Sequence, residues 1–359
     1  MRNAKRISVI LLFLIVCCSL SAVSSTWFYD SLNAKQQSLY NRIGEAVLAC
    51  KEELKDVGYD GNECLRIYLG YLDDHPGVFW VEKGIKYGAY IENGVTKYSI
   101  VFKYTHQDSL KADQTRFINL VSKFSDYLKD DANDYIKLYH IYDYLASTIK
   151  YSTDYMDQSM WSVFFEGIGV CAGFARSFQY LALLEGIPSV VVHGWSRNAD
   201  GTKDEDGSHL WVMAEVNGKW YHFDPTWGLN DNDDGVVDFT YFCRSRKRIE
   251  LTHVINEDYP IPESGDDSMS YVHVRNRYLT VYSEKGMKTI IKKALKQDEY
   301  SFTVEFSSLK ELRAARKSLI DDGGFYSILS DLGVTDVKMK WYIYDEMAYS
   351  LKLVLEKKK

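Results

Sequence analysis

Hydrophobic and polar residues follow each other along this chain with two different periods. Three segments carry apolar residues three and four positions apart, as in helices with one buried face; they are residues 32–57, 108–129 and 134–149. Four shorter segments have the apolar runs or the alternation typical of strands; they are residues 78–81, 98–104, 302–306 and 337–343. The turn Glu92-Asn93-Gly94 fits a hairpin between strand-like segments. We therefore interpret residues 26–108 as a small α/β module.

The N-terminus has the pattern of a secretory signal peptide. Arg2, Lys5 and Arg6 precede an apolar run at 7–18, and Ala22-Val23-Ser24 provides a cleavage site. An uncleaved anchor helix stays open as the alternative, although the run is short for a membrane span. A lipid anchor on Cys17 or Cys18 is not expected, because Val16 stands where a small residue should precede the cysteine. The sequence thus predicts a secreted or cell-surface protein.

The C-terminal part shows the order β-α-β-α-β from Tyr271 onwards. Ser308 and Glu311 have the spacing of a capping box, which predicts a helix from there to Ile320. The polar segment 257–267, which contains two prolines, is interpreted as a linker, and 356–359 as a frayed tail. The predicted divisions are a signal peptide at 1–24, an N-terminal α/β module at 26–108, a central domain at 109–260 and a C-terminal α/β module at 268–359.

Composition and charge exclude several classes of protein. With 28 Tyr, 16 Phe and 8 Trp in 359 residues, the chain has too much aromatic surface to be disordered throughout. Its formal net charge of -7 argues against a nucleic-acid partner. Outside the N-terminus no apolar run is long enough to span a bilayer.

Four cysteines remain beyond the predicted signal peptide; they are Cys50, Cys64, Cys171 and Cys243. Cysteines of exported proteins tend to be paired. Cys50 and Cys64 are close enough in sequence to close a short loop, but spacing does not fix a pairing. A functional thiol would have to stay unpaired.

Cys171 stands at the predicted start of a helix. Gly167 and Gly169 suit a tight turn before it, residues 172–184 have helical periodicity, and Gly186 marks the end of the helix. The free N–H groups of a helix N-terminus favour a thiolate and can stabilise an oxyanion. On this segment alone, a buried structural cysteine remains the stronger alternative.

The segment 208–226 has the pattern of a hairpin. Asn217-Gly218 between two alternating runs is a strong signal for a two-residue turn. If these two residues form the turn, His209 and Asp224 are diagonal neighbours on one face, within side-chain reach. The other face is a predicted core face; it carries Leu210, Val212, Ala214, Tyr221 and Phe223. Cys171, His209 and Asp224 are then candidates for a nucleophile, a base and the group that orients the base.

Three runs resemble the bacterial transglutaminase-like core; they are Gly169-Val170-Cys171-Ala172-Gly173-Phe174-Ala175, Ser208-His209-Leu210-Trp211 and Trp220-Tyr221-His222-Phe223-Asp224-Pro225-Thr226-Trp227. The similarity extends to Phe239-Thr240-Tyr241-Phe242 and to His253, and to Asp74-His75-Pro76 and Phe79-Trp80-Val81 ahead of the core. The resemblance implies an α+β, papain-like fold in which a helix bearing the cysteine packs on an antiparallel sheet, flanked here by the two small α/β modules. Leu210 is a departure, since the family more often has Ala there.

The resemblance implies a Cys-His-Asp triad that maps onto Cys171, His209 and Asp224. Members of the family attack amide bonds of proteins or peptides through a thioester and pass the acyl group to an amine or to water. Other members are non-catalytic, so a cell-surface binding module with the same fold stays open as the alternative.

No cofactor and no metal site is predicted. His222 shares the face of Asp224, which leaves a Cys-His-Asp-His metal site as a minor alternative. The acidic run Asn230–Gly235 suggests a calcium loop, but Tyr241 stands where the EF-hand pattern requires Glu. We interpret that run as a solvated loop.

Overall fold

The computed structural model describes residues 23–105, 109–128, 133–153, 158–229 and 236–358. Most of the predicted signal peptide and the acidic run Asn230–Gly235 lie outside the described residues. Across the part of the chain that is described, every helix is too short or too polar to serve as a membrane span.

The chain divides into two compact units, each made of several segments. The first comprises Met1–His193, His209–Trp220 and Asn256–Glu263. The second comprises Gly194–Ser208, Tyr221–Ile255 and Ser264–Lys359. The module boundaries expected near 108 and 260 stay a prediction.

The first unit is mostly helical. Its helices are α1 (Trp27–Asp30), α2 (Ala34–Leu48), α3 (Gly61–Asp74), α4 (Leu110–Tyr127), α5 (Asp134–Thr148), α6 (Met160–Glu166) and α7 (Cys171–Leu184). Two of them, α4 and α5, confirm the helices expected at 108–129 and 134–149. The core between them is aromatic, with Phe117, Tyr142, Phe174 and Phe178 fully buried.

A small antiparallel sheet in this unit has the order β1-β3-β2, formed by β1 (Glu53–Lys55), β3 (Val95–Val101) and β2 (Lys86–Glu92). Asn93 and Gly94 have positive φ angles of 52° and 76°, so the expected hairpin turn is confirmed. A further pair of short parallel strands, β4 (Lys150–Tyr151) and β5 (Ile168–Gly169), lies before α7.

Two expectations for this part of the chain are wrong. The helical pattern at 32–57 does not form one helix: α2 ends at Leu48, Cys50 has a φ of 49°, and Leu54 pairs with Ile100 in the sheet. The apolar residue Leu54 therefore belongs to a strand of the sheet and not to the helix. The run 78–81 is not a strand and forms a single bridge between Val81 and Tyr104.

A four-stranded sheet has the order β8-β7-β6-β9; its strands are β8 (Lys219–Phe223), β7 (Lys203–Val216), β6 (Ser189–Arg197) and β9 (His253–Ile255). The end of β6 pairs antiparallel with β9, from Gly194 opposite Ile255 to Ser196 opposite His253. This sheet carries the residues of the hairpin that the sequence singled out.

The C-terminal part of the second unit is a four-stranded sheet with the order β10-β11-β13-β12; its strands are β10 (Tyr278–Leu279), β11 (Ser301–Phe306), β13 (Ser350–Lys357) and β12 (Val337–Asp345). The helices of this unit are α8 (Arg246–Ile249), α9 (Tyr271–Val274), α10 (Glu284–Lys296), α11 (Leu309–Arg316) and α12 (Gly324–Asp331). The strands expected at 302–306 and 337–343 are confirmed. A single apolar core in this region includes Met287, Phe302, Leu312, Phe325 and Leu353.

Three details of this module were predicted wrongly. Ser308 makes no side-chain cap at α11, and the carboxylate of Glu311 instead accepts a hydrogen bond of 2.8 Å from the N–H of Tyr282. The predicted helix to Ile320 also changes character, since Lys317–Asp321 is a π-helical turn. The frayed tail was expected to begin at residue 356. Glu356 and Lys357 instead belong to β13 and pair with Lys338 and Val337.

Candidate active site

Cys171 is the first residue of α7, as the sequence predicted. Val170 precedes it in extended conformation and supplies no side-chain cap to the helix. The glycines on either side of Cys171 are required by packing: a Cβ at Gly169 would lie 2.8 Å from Cγ2 of Val163, and one at Gly173 would lie 3.0 Å from the carbonyl oxygen of Ser159. The glycine-rich motif therefore allows α6 to approach the start of α7 closely.

The thiol of Cys171 is hydrogen-bonded to the imidazole of His209. Burial by itself would raise the pKa of Cys171, but the hydrogen bond from His209, its charge and the N–H of Leu210 together bring the pKa below its ordinary value. Cys171 is partly exposed to solvent. A partly exposed cysteine whose thiolate is stabilised in this way has the character of a nucleophile.

His209 lies on β7, one strand of the predicted hairpin. Asn217 and Gly218 have φ angles of 53° and 77°, so the expected two-residue turn is confirmed. His209 is 7% exposed, and its ring stacks on that of Trp211 with ring centroids 5.9 Å apart. The expected core face is confirmed at Val212 and Ala214, but Trp211 on the face of His209 is buried as well. The imidazole is therefore held in an apolar setting.

Asp224 belongs to the second unit and is fully buried. Its Oδ1 accepts hydrogen bonds from the N–H groups of Thr226 (2.9 Å) and Trp227 (3.2 Å). Its Oδ2 is 3.0 Å from Nε2 of His253. The aspartate thus closes the turn around Pro225 with one oxygen and engages a histidine with the other.

His253 is the residue to which sequence reasoning assigned no role. It is fully buried, its Nδ1 is 2.8 Å from Oγ1 of Thr252, and its ring lies 4.4 Å from that of Trp227 between centroids. Because the carboxylate of Asp224 only accepts hydrogen bonds, Nε2 of His253 carries the proton in their contact. In the sequence, the one indication of a function for His253 was that the similarity to the transglutaminase-like core extends to it.

Two of the three candidate residues, Cys171 and His209, are brought together by the first unit. Asp224 lies in the second unit. That Asp224 orients His209 stays a prediction, which rests on the hairpin register.

A buried polar cluster that the sequence did not reveal supports α7. Arg176, five residues after Cys171, donates to Oδ1 of Asp73 at 2.5 Å, and Nε2 of His193 lies 2.5 Å from Oδ2 of the same carboxylate. Although burial would raise the pKa of Asp73, the positive partners hold it below its usual value. The side chain of Gln179 adds a hydrogen bond to the Asp73 carbonyl oxygen at 2.8 Å. Asp73 lies in the last turn of α3, so this cluster fixes the cysteine-bearing helix to α3.

The other cysteines differ chemically from Cys171. All four cysteines in the described residues are free, so Cys50 and Cys64 do not form the disulfide that their spacing left open. Burial raises the pKa of Cys50, and burial together with Asp60 and Glu63 raises that of Cys64 to about 11. Burial also raises the pKa of Cys243. Of the four, Cys171 is the thiol that the surroundings favour as a thiolate.

His222 was the candidate for a metal site. It is fully buried, and its backbone pairs with that of Arg244 in an isolated bridge. Burial, followed by the charges of His253 and Arg246, lowers the pKa of His222 to about 3, so its ring is neutral. That the protein needs no metal and no cofactor stays a prediction.

The model of the transglutaminase-like superfamily matches residues 122–225, a range that includes Cys171, His209 and Asp224. The chain carries a transglutaminase-like domain. The predicted α+β fold with a transglutaminase-like core is thereby confirmed. His253 lies beyond the matched residues of this domain.

Three solved structures show how far the likeness to known folds extends. A TGase shares 19% identity (TM-score 0.27) over 41% of this chain and 45% of its own. A candidate cysteine protease from Cytophaga hutchinsonii shares 17% identity (TM-score 0.27) over 41% of this chain and 63% of its own. The periplasmic domain of TgpA from Pseudomonas aeruginosa shares 18% identity (TM-score 0.26) over 37% of this chain and 54% of its own. This chain thus spans about half the length of these proteins.

None of the curated proteins matches this chain.

Proposed function

We propose that this transglutaminase-like protein is a cysteine-dependent enzyme that attacks amide bonds of protein or peptide substrates. The observation that carries the proposal is the hydrogen bond between Cys171 and His209 at the start of α7, together with the lowered pKa of the thiol. A cysteine that only filled the core would have its pKa raised, as at Cys243.

In this proposal Cys171 is the nucleophile and His209 is the general base and acid. The thiolate attacks the carbonyl carbon of an amide, whose electron pair moves to the oxygen. The uncapped N–H groups of the first turn of α7 are suitable donors to that oxyanion. When the C–N bond breaks, the imidazolium of His209 gives its proton to the leaving nitrogen, and a thioester remains on Cys171.

The second half of the reaction reverses these roles. An amine or a water molecule attacks the thioester, and His209 accepts its proton. The C–S bond breaks and the thiolate of Cys171 returns. The product is a new amide if an amine is the acceptor and an acid if water is the acceptor.

Asp224 is proposed to orient His209 and to stabilise its imidazolium. The two-residue turn at Asn217-Gly218 supports this role, since its register makes His209 and Asp224 diagonal neighbours. The three hydrogen bonds that Asp224 accepts from Thr226, Trp227 and His253 hold the carboxylate in one orientation. A fixed carboxylate is what a base needs in order to keep one tautomer.

Export is part of the proposal and rests on the N-terminal pattern. Arg2, Lys5 and Arg6 followed by an apolar run are the features of a signal peptide. We therefore expect the enzyme to act outside the cytoplasm, in secreted form or in association with the cell surface.

The decisive experiment offers an unfolded glutamine-containing protein with and without a fluorescent primary amine. Covalent incorporation of the amine identifies an acyltransferase, and release of ammonia or of new peptide ends without incorporation identifies a hydrolase. Both activities should be absent in Cys171→Ala and retained in Cys50→Ala, which serves as the matched control. A mature protein that gives neither product under either condition, while its Cys171 still reacts with iodoacetamide, contradicts the enzyme and favours a binding module.

A further inference from the structure

The strand β2 forms an open edge of the small sheet in the first unit. It is the last strand in the order β1-β3-β2, and among the described residues no other strand pairs with its outer side. Such edges are usually shortened, bent or covered because they accept other strands. This one is seven residues long and contains no proline, and only its first and last residues, Lys86 and Glu92, are charged.

The register of the hairpin shows which backbone groups of β2 point outwards. Glu92 and Val95 flank a two-residue turn and therefore form a hydrogen-bonded pair. Every second residue back along β2 also points its N–H and C=O towards β3. Tyr87, Ala89 and Ile91 point theirs away from the sheet, which leaves three donors and three acceptors along the edge.

The side chains of the same three residues share one face, and this face is apolar and exposed. Ile91 is 78% exposed and Tyr87 39%, and Tyr98 on the neighbouring strand is 40% exposed. The rings of Tyr87 and Tyr98 stack with centroids 5.3 Å apart, and the hydroxyl of Tyr87 donates to the carbonyl oxygen of Tyr59 at 3.0 Å. The face is therefore held in a fixed shape before anything binds to it.

The strand is complementary to itself. If two copies of β2 run antiparallel about a two-fold axis at Ala89, Tyr87 lies opposite Ile91 and Lys86 lies opposite Glu92. The three outward-pointing residues of each strand then form hydrogen-bonded pairs, which gives six bonds between the strands. Each end of the paired strands brings Lys86 of one copy to Glu92 of the other, a carboxylate that also contacts Lys97 of its own chain at 2.8 Å, so opposite charges face each other in this register.

We propose that a second copy of this chain docks on β2, so that two three-stranded sheets join into one of six strands. A second copy fits this edge because Lys86 and Glu92 carry opposite charges and are equally far from Ala89 along the strand. Two antiparallel copies therefore place opposite charges together at both ends, whereas an unrelated strand need not have this arrangement. The paired strands place Ile91 beside Tyr87 of the partner subunit and cover the apolar face at its most exposed residue. This dimer is independent of the chemistry at Cys171.

The first test removes one outward-pointing donor. Ala89→Pro deletes an N–H that β3 does not use, so the hairpin is retained while pairing at the two-fold axis is blocked. The matched control, Ala89→Ser, keeps the N–H. Sedimentation equilibrium of the mature protein should show a dimer for the wild type and for Ala89→Ser, and a monomer for Ala89→Pro with an unchanged circular-dichroism spectrum.

The second test uses charge and does not depend on the folding of the proline variant. Lys86→Glu places glutamates opposite each other at both ends of the interface and should weaken the dimer about tenfold. Adding Glu92→Lys to the same chain restores two opposite-charge pairs and should restore the dimer. A wild-type protein that stays monomeric at all accessible concentrations overturns the proposal. So does a dimer whose dissociation constant is unaffected by both Ala89→Pro and Lys86→Glu, since it would use another surface.

Discussion

The carboxylate of Asp224 accepts a hydrogen bond of 3.0 Å from Nε2 of His253, and both side chains are fully buried. The second nitrogen of His253 is in turn 2.8 Å from the hydroxyl of Thr252. A buried carboxylate is stable only when its oxygens have partners. The hydrogen bond from His253 therefore helps to stabilise the charge of Asp224 inside the protein.

Replacement of His253 by Leu should destabilise the protein, because the Asp224 carboxylate loses a donor in a buried site. We expect a loss of about 1.5–3 kcal/mol in the free energy of unfolding, the usual range for a hydrogen bond to a charged group. Urea unfolding measures it through the shift in midpoint. Thr252→Ala keeps the contact with Asp224 and should cost less. If the two variants lose equal stability, the contact between His253 and Asp224 is not the reason for the loss.

The pH dependence of stability should reveal the raised pKa of Asp74. Burial raises the pKa of this carboxyl to about 7, although the N–H groups of Tyr29 and Phe28 and the hydroxyl of Tyr40 favour the carboxylate. An aspartate in the unfolded chain has a pKa of about 3.9. The folded state therefore holds a proton that the unfolded state has released between these values. The protonated Asp74 therefore contributes to the free energy of unfolding. This stabilisation is fully present below about pH 4 and is lost as the pH rises through 7.

Asp74→Asn removes this titration. We expect the free energy of unfolding of the wild type, relative to that of the variant, to fall as the pH rises from about 4 to 7. Urea unfolding at intervals across this range is the measurement. Tyr40→Phe retains the carboxyl and should retain the pH dependence. A difference between wild type and Asp74→Asn that is constant or rises with pH contradicts a raised pKa.

Glu305 should be essential for the stability of the second unit. It accepts two hydrogen bonds from Arg244, at 2.6 and 2.8 Å, and lies 3.1 Å from Nη1 of Arg248, with all three side chains buried. Glu305→Gln removes the charge that both buried guanidinium groups contact, while Arg248 keeps Asp267 at 3.5 Å, and this should cost about 3–5 kcal/mol in the free energy of unfolding.

An exposed ion pair in the same unit provides the control. Glu346 and Arg313 contact each other at 3.2 Å with both side chains largely exposed to solvent. Glu346→Gln should shift the urea midpoint very little, because water screens such pairs. Equal shifts for Glu305→Gln and Glu346→Gln would show that burial of the Glu305 cluster has no energetic consequence.

Features that the sequence predicted depend on residues close together along the chain. The start of α7 at Cys171 follows from glycines before it and helical periodicity after it, and the hairpin of His209 follows from the Asn217-Gly218 turn. Both signals act over a few residues, so local conformational preferences determine them.

Features that the sequence did not predict depend on distant partners. Asp73 bonds to Arg176 and to His193, which are 103 and 120 residues away along the chain, and no local pattern points to such pairs. The capping box at Ser308 failed for the same reason, because Glu311 bonds to Tyr282 instead. The burial of Lys352 is a third case. Its charge suggests a position at the surface, but it is buried in β13, where it pairs with Thr303 of β11.

The rate at which Cys171 is alkylated, measured against pH, tests most directly whether this cysteine is a thiolate nucleophile paired with His209. At pH 6 iodoacetamide should label Cys171 selectively, because its surroundings lower its pKa while those of Cys50, Cys64 and Cys243 are raised. His209→Ala should move the profile to higher pH and slow labelling at pH 6 roughly tenfold or more, whereas His273→Ala, the control, should leave it unchanged. An unchanged rate in His209→Ala would contradict the proposed pairing of nucleophile and base.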